Sequence, residues 1–296
     1  MNDKQPLIVG LGEILWDVFP DGPRFGGAPA NFACHVAALG GTAEMVSAVG
    51  RDELGEKALA ELGNRHVGTR GVHRDEQRPT GTVTVSLDAD GHASYEFAAD
   101  TAWDALPWSE DLAQLAERTS AVGFGTLGQR SERSRETIRR FVAATPSTAL
   151  RIFDVNLRPP FVSDAVILES LALANVLKLN DEELPVLAAL CGLSGSDVEV
   201  MRELAEKFAL GAVALTRGPN GAVLLRDGRV SEQPGIETQV VDTVGAGDAY
   251  TAVLALGLLE GRNLDAINRG ACQVAAFVCS QSGATPQLPD WHGISS

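Results

Sequence analysis

The chain has 296 residues, 45% of them hydrophobic and 21% charged, with a formal net charge of −15. That balance is that of an ordinary globular protein, long enough for one large domain or one domain with an appendage. Its negative charge and lack of a Lys/Arg cluster exclude a duplex nucleic acid or an anionic membrane surface as a natural partner, while a small anion is still allowed.

The N-terminus passes from "MNDKQP" straight into the short apolar run "LIVGLG", with no basic flank or cleavage pattern, so a signal peptide is not expected. No apolar run approaches the roughly 20 residues that cross a bilayer. Cys34, Cys191, Cys272 and Cys279 form no CxxC pair and sit in apolar, helix-like surroundings, the pattern of reduced core thiols in a cytoplasmic protein.

In chain order, "PLIVGLGEILWDVF" reads as a buried strand followed by a more polar one, and Asp21-Gly22 as a turn. "NFACHVAALG" has the 3.6 period and a glycine stop, which predicts a helix opening at Asn31. "AEMVSAVG" is a strand and "DELGEKALAELGNR" a helix. "TGTVTVSLDADGHASYEFAAD" alternates apolar and polar residues about Asp90-Gly91, a half-exposed hairpin. From about Asp104 the patterns alternate, with strands expected at "AVGFGT", "LRIFDVN", "VLKLN", "AVALTRG", "GAVLLRDG" and "TQVVD". Two helices close the chain, "GDAYTAVLALGLLEG" and "NLDAINRGACQVAAFVCSQSG". Apolar strands separated by helices predict an α/β fold, a mostly parallel sheet with helices on both faces. Two separated pieces, about 12–27 and 79–101, are expected to build a small β-sheet flap on a single domain spanning 1–296.

Four stretches could carry chemistry. In "VDTVGAGDAYT" a glycine turn precedes a helix, so the N–H groups at the helix start and its dipole favour a phosphoryl group. Asp248 beside it could take a hydroxyl proton, or simply cap the helix. In "FGGAPANFA", Gly26 and Gly27 give backbone access and the Asn31 amide could bind sugar oxygens. Asp17 could accept two hydroxyl protons; the plainer alternative is a tight turn with a capping Asn and a solvated aspartate. "IFDVNLRPPF" puts Asp154, Asn156 and Arg158 at a strand end, where open α/β sheets bind ligands, or forms an ordinary loop. In "LKLNDEEL", Asn180 and Glu183 could hold a hydrated Mg²⁺ through water, or cap a helix. The five histidines have no metal-ligand spacing, no GxxxxGK[ST] loop is present, and Trp103 and Trp108 read as packing or flap-hinge residues.

Together, "GGAPANFA" early and "DTVGAGDAYTA" late, with "LNDEE" and "TRGPNG" between them, resemble the ribokinase-like (PfkB) carbohydrate kinases over about residues 8–286. The resemblance implies transfer of the γ-phosphoryl of ATP to a sugar or nucleoside hydroxyl, on a parallel-rich core with a β-sheet lid. It implies that Asp248 is the general base and that Gly245, Ala246 and Gly247 form the anion hole. Asp17, Gly26, Gly27 and Asn31 would bind sugar. Asn180, Thr216, Gly218, Gly221 and Cys272 would bind the nucleotide, with Cys272 in the adenine pocket. Glu183 would organise Mg²⁺, and Asp242 with the Val244 carbonyl would form part of a site for a monovalent cation such as K⁺. The late loop reads "CSQSGA", with Gln281 where the family often carries Arg.

"DVNLRPPF" and "GEILWDVFP" are similar to the fructokinase branch, which makes D-fructose the leading substrate and Arg158 a sugar contact. A 2-keto-3-deoxygluconate or other hexose kinase ranks second, a ribokinase or nucleoside kinase third. A phosphosugar substrate would need a basic pocket, for which Arg24, Arg130 and Arg158 are scattered candidates. A non-catalytic sugar-binding regulator is the reading from a different class. A homodimer through the lid is compatible with the family.

Overall fold

The computed structural model describes residues 5–87 and 93–289. The chain opens with β1 (Leu7–Leu11), β2 (Leu15–Phe19), β3 (Gly22–Gly26), α1 (Ala28–Ala38), β4 (Thr42–Gly50), α2 (Glu53–Asn64), β5 (Gly68–Asp75), β6 (Gly81–Leu87) and β7 (Ala93–Phe97). A 3₁₀ turn, Ala102–Ala105, leads to α3 (Glu110–Glu117), β8 (Ala121–Phe124), α4 (Glu132–Ala144), β9 (Leu150–Asp154), α5 (Asp164–Leu173) and β10 (Val176–Asn180). Then come α6 (Glu183–Cys191), α7 (Asp197–Lys207), β11 (Ala212–Thr216), β12 (Ala222–Arg226), β13 (Arg229–Gln233), α8 (Ala246–Leu259) and α9 (Leu264–Cys279).

Nine strands form one sheet in the order β13-β12-β11-β10-β9-β8-β1-β4-β5. Every pairing from β5 to β11 is parallel, while β11–β12 and β12–β13 are antiparallel. Strand side chains alternate between two apolar layers. Ile8, Met45, Ile152 and Ala214 pack with α1, α2, α8 and α9, whereas Val9, Val46, Phe153 and Val213 pack with α3 to α7. Burial on both faces is what produces the unbroken apolar strands in the sequence.

The second sheet is different. Its order is β3-β2-β6-β7, with β2 and β6 parallel. Along β6, Val83 and Val85 are buried while Thr84 is exposed, the period-2 alternation of a sheet covered on one side. β6 and β7 pair antiparallel from Val83↔Phe97 to Leu87↔Ala93, as a hairpin requires. The expected turn at Asp90-Gly91 lies outside the described residues. The strands fall within the two pieces expected to form the flap.

One polar clasp holds this sheet to the main body. Arg130 gives Nε and Nη2 to the two oxygens of Asp104, both at 2.7 Å, and Nη2 also donates to the Ala98 carbonyl at 2.6 Å. The guanidinium lies 4.0 Å over the Trp103 ring and 4.8 Å from that of Phe161. Both charges are buried, so each needs the other.

Two local expectations shift. Helix α1 starts at Ala28 with Gly27 as its N-cap and Pro29 in its first turn. Asn31 is therefore inside the helix instead of capping it. "TQVVD" is not a strand: no neighbour pairs with it, and the Val241 and Asp242 N–H groups instead donate to the Cys279 carbonyl. Its place in the sheet is taken by β13, which turns back from β12 through Asp227 and Gly228, both at positive φ.

Candidate active site

Parallel strands all end at one edge of a sheet, and that edge gathers the polar groups. Asp154 ends β9, Asn180 ends β10 and Thr216 ends β11. Helix α8 begins above them. Its N-cap is Gly245 at φ 82, and no side chain caps it; the Ala246 N–H donates to the Thr243 carbonyl at 3.4 Å, which leaves those of Gly247 and Asp248 at the open end of the helix. A Cβ on Gly245 would lie 2.0 Å from the Ala284 carbonyl oxygen, so only glycine fits between the turn and the loop after α9. Asp248 is the third residue of α8 and not its cap.

Asp248 is held from far away in the sequence. The Asn31 Nδ2 donates to its Oδ2 at 2.9 Å. Burial, and then the charge of Asp154, push the Asp248 carboxyl up to about 7; the Asn31 bond, Lys178 and Arg158 oppose this. A carboxylate poised there can take a proton at neutral pH.

Two residues that the sequence reading did not single out stand beside it. Lys178, buried mid-strand, donates to Asp154 at 3.0 Å, and its Nζ is 3.0 Å from where a Cβ on Gly247 would be. Burial alone would lower its pKa, but the Asp154 and Glu183 carboxylates more than offset this and raise it. Glu13, 3% exposed, follows β1. Burial, then the Asp248 charge, push it to about 7. Its Oε2 and the Asn31 Oδ1 are buried without a hydrogen-bond partner among the described residues. Glu13, Asp154, Asn156, Asp248 and Thr251 line a cavity of about 20 Å³, room for about one water. A larger cavity of about 280 Å³ includes Arg202, Leu210 and Arg226 near the start of β11, the edge where such sheets do not bind ligands. In the sequence, the signal for both missed residues is a lone charge within an apolar strand run.

The remaining candidates fall into three groups. On the small sheet, Asp17 lies against Gly26, where an added Cβ would be 2.8 Å from its Oδ2. Burial raises the Asp17 carboxyl to about 6, against the pull of Arg158 and Arg24. Gly27, at φ 109, leaves a Cβ no room beside the Glu13 carbonyl at 2.5 Å. Arg158 is exposed and donates to the Leu157 carbonyl at 3.0 Å.

In the second group, Glu183 accepts N–H groups of Leu157 and Asn180, each at 2.9 Å, while Asn180 Oδ1 accepts from Glu182 and Glu183. The capping alternative for Asn180 is thus present, and Glu183 also fastens the turn that carries Arg158. Thr216, Gly218 and Gly221 lead from β11 into β12, with both glycines at positive φ. Cys272 on α9 is buried near them, its thiol pushed up to about 11 by burial. Asn268, one turn before it, donates to the Ala222 carbonyl at 3.3 Å.

In the third group, Asp242 accepts from Val244 N–H at 3.0 Å and from Gly283 N–H at 3.2 Å. The turn before α8 and the loop after α9 therefore stand side by side. Among the described residues no three His, Cys, Asp or Glu side chains form a metal cage.

This geometry agrees with what the chain is similar to. The model of the "pfkB family carbohydrate kinase" matches residues 22–291. The chain belongs to the pfkB family of carbohydrate kinases. It is 32% identical to an uncharacterized sugar kinase of Pyrococcus horikoshii, over 96% of this chain and 93% of the relative. The crystal structure of that pfkB relative in complex with ATP superposes with a TM-score of 0.80 over 94% of each chain, at 30% identity. A fructokinase of Escherichia coli is 29% identical over 94% of this chain and 95% of its own. The fold is shared with Vibrio cholerae fructokinase, solved with fructose, ADP and calcium, at a TM-score of 0.82, 23% identity and 99% coverage of both chains. The pfkB chain described here is thus a sugar kinase with a ribokinase-like fold.

Proposed function

We propose that the chain uses ATP to phosphorylate the primary hydroxyl of a small unphosphorylated sugar, D-fructose first, giving fructose 6-phosphate. One observation carries the reading: the Asp248 carboxylate lies at the uncapped start of α8 and is held by Asn31 from the glycine-rich early segment. Fructokinase relatives at about 30% identity support the choice of sugar. Two arginines that a phosphosugar would need are already engaged, Arg130 by Asp104 and Arg24 by Asp21.

In this reading Asp17, Gly26, Gly27 and Asn31 orient the sugar, with Arg158 over it. Asp248 takes the proton of the attacking hydroxyl, which alignment in a dry site makes effective. ATP supplies the phosphoryl group, and the donor set fits its charge: the glycine floor at Gly245–Gly247 admits phosphate oxygens, and Lys178 offers an ammonium beside it. Thr216, Gly218, Gly221, Asn180 and Cys272 line the nucleotide side. Mg²⁺ binds through few protein ligands and keeps its waters, so Glu183 would act through water, its oxygens already accepting backbone N–H groups. Asp242 and the Val244 carbonyl fit a monovalent cation where the two loops meet.

The small sheet acts as a lid that excludes water. Its edges, β3 and β7, are free to pair across a dimer. The four thiols are free, and among the described residues no helix is long and apolar enough to cross a membrane. Both fit a cytoplasmic enzyme.

The test is ADP release with Mg-ATP against a panel of fructose, 2-keto-3-deoxygluconate, other hexoses, ribose and nucleosides. The expected result is the highest kcat/KM on fructose. A higher value on another sugar reassigns the substrate, and binding without turnover on any of them leaves a sugar-binding regulator.

A further inference from the structure

Helix α1 places Asn31 and His35 four residues apart, on one face and one turn from each other. Asn31 reaches Asp248. His35 reaches the loop after α9, against which the same turn rests. Its Nε2 is 2.9 Å from the Ala284 carbonyl oxygen. A carbonyl only accepts, so Nε2 carries the hydrogen and donates it. The ring is 1% exposed, and burial pushes its pKa down to about 4, with Arg65 acting in the same direction and the Ala284 bond opposing. The imidazole is therefore a neutral, fixed donor.

The Ala284 carbonyl is the group against which Gly245 rests, at a separation that a Cβ would close to 2.0 Å. Its neighbours are held too. Gly283 N–H donates to Asp242, and the Thr285 carbonyl accepts from Arg65 Nη1 at 2.8 Å. Three consecutive residues of this loop are thus each gripped by a side chain from a different segment.

We propose that His35 is a positioning residue for phosphoryl transfer: by holding the Ala284 carbonyl it fixes the seat of Gly245. One face of α1 then secures both ends of the Gly245–Asp248 turn, the base through Asn31 and the anion cradle through His35. The inference rests on the function proposed above and adds to it a residue that touches neither substrate.

The test compares H35L, which has similar bulk and no donor, with H35Q, whose amide N–H can reach the place of Nε2. A displaced cradle in H35L should lower kcat up to about 10²-fold and raise the KM for ATP about tenfold, the scale of a 1 Å misplacement. The KM for sugar should change by less than about threefold, because Asn31 and Asp17 are untouched, and H35Q should recover most of the loss. Calorimetric binding of ADP without sugar gives a second readout, weaker in H35L than in the parent or H35Q. If H35L does not fold, H35N replaces it, since the shorter amide cannot span the gap. An H35L enzyme within twofold of the parent in kcat and KM for ATP overturns the proposal, as does an H35Q no better than H35L or H35N. A parent that transfers phosphate to no sugar defeats the proposed function instead. The ADP measurement still judges His35 in that case, and equal affinities of parent and H35L would overturn it.

Discussion

The nine-stranded sheet and the four-stranded sheet contribute different parts of the candidate site, and they are built on different terms. Strands β8, β10 and β11 are buried almost throughout, so the groups at their ends stand on a layer that cannot shift without unpacking both faces. Around Asp248, three neighbours are anchored across the fold: Asn31 from α1, Lys178 on Asp154, Gly245 against Ala284. In the small sheet β6 alternates buried and exposed residues, and the segment after β7 is clasped by Arg130. The contrast is between a site floor packed on both faces and a sheet packed on one.

The sharpest way to break the fixed side is Asp248→Asn. It keeps the shape and removes the base, so kcat should fall by about 10³-fold. Sugar affinity by calorimetry should stay close to the parent's. A variant with near-normal turnover would sink the assignment. Arg130→Met attacks the small sheet. It leaves the buried Asp104 charge without its partner, a loss of about 3–5 kcal/mol in urea unfolding. Arg130→Lys should lose less, and if the clasp guides the cover, its ATP hydrolysis without sugar should rise relative to transfer.

The pH dependence separates the two regions further. With its pKa near 7, Asp248 is ionised above that value, so kcat should drop about tenfold per unit as pH falls below about 7. Glu13→Gln removes a negative neighbour and should move that limb to lower pH, whereas Arg130 variants should leave its position alone. Stability runs the other way. Carboxyls raised in the fold, as Glu13 and Asp248 are, bind more protons folded than unfolded between about pH 4 and 7. Their share of stability is present at low pH and lost as pH rises through about 7. Asp248→Asn should therefore be more resistant to urea than the parent at pH 8 while nearly inactive.

Much of this was legible in the sequence, for local reasons. Unbroken apolar runs marked the buried strands, alternation marked the β6–β7 hairpin, and the glycine turn marked the start of α8. What was hidden depends on partners distant in the chain. "TQVVD" has strand-like residues, but a strand needs a neighbour, and here the Cys279 carbonyl accepts the Val241 and Asp242 N–H groups instead. Nothing in the sequence singles out His35, because its acceptor is 249 positions away. Lys178 and Glu13 were visible as charges in apolar runs, yet their meaning required Asp154 and Asp248 to be placed beside them. Asn31 was read as a candidate from its type, while its position within α1 came from Pro29 starting the helix earlier.

The Asn31 amide has a consequence for selectivity. By giving its N–H to Asp248 it leaves its oxygen buried and without a partner among the described residues. That oxygen can only accept, so a fitting substrate must bring a hydroxyl to it. A deoxy analogue would leave a polar atom dry and unpaired, and sites of this kind discriminate by about 10⁴–10⁵ against a missing hydroxyl. Refusal of such analogues would then come from one amide that the proposed base holds in place, with no need for a narrower pocket.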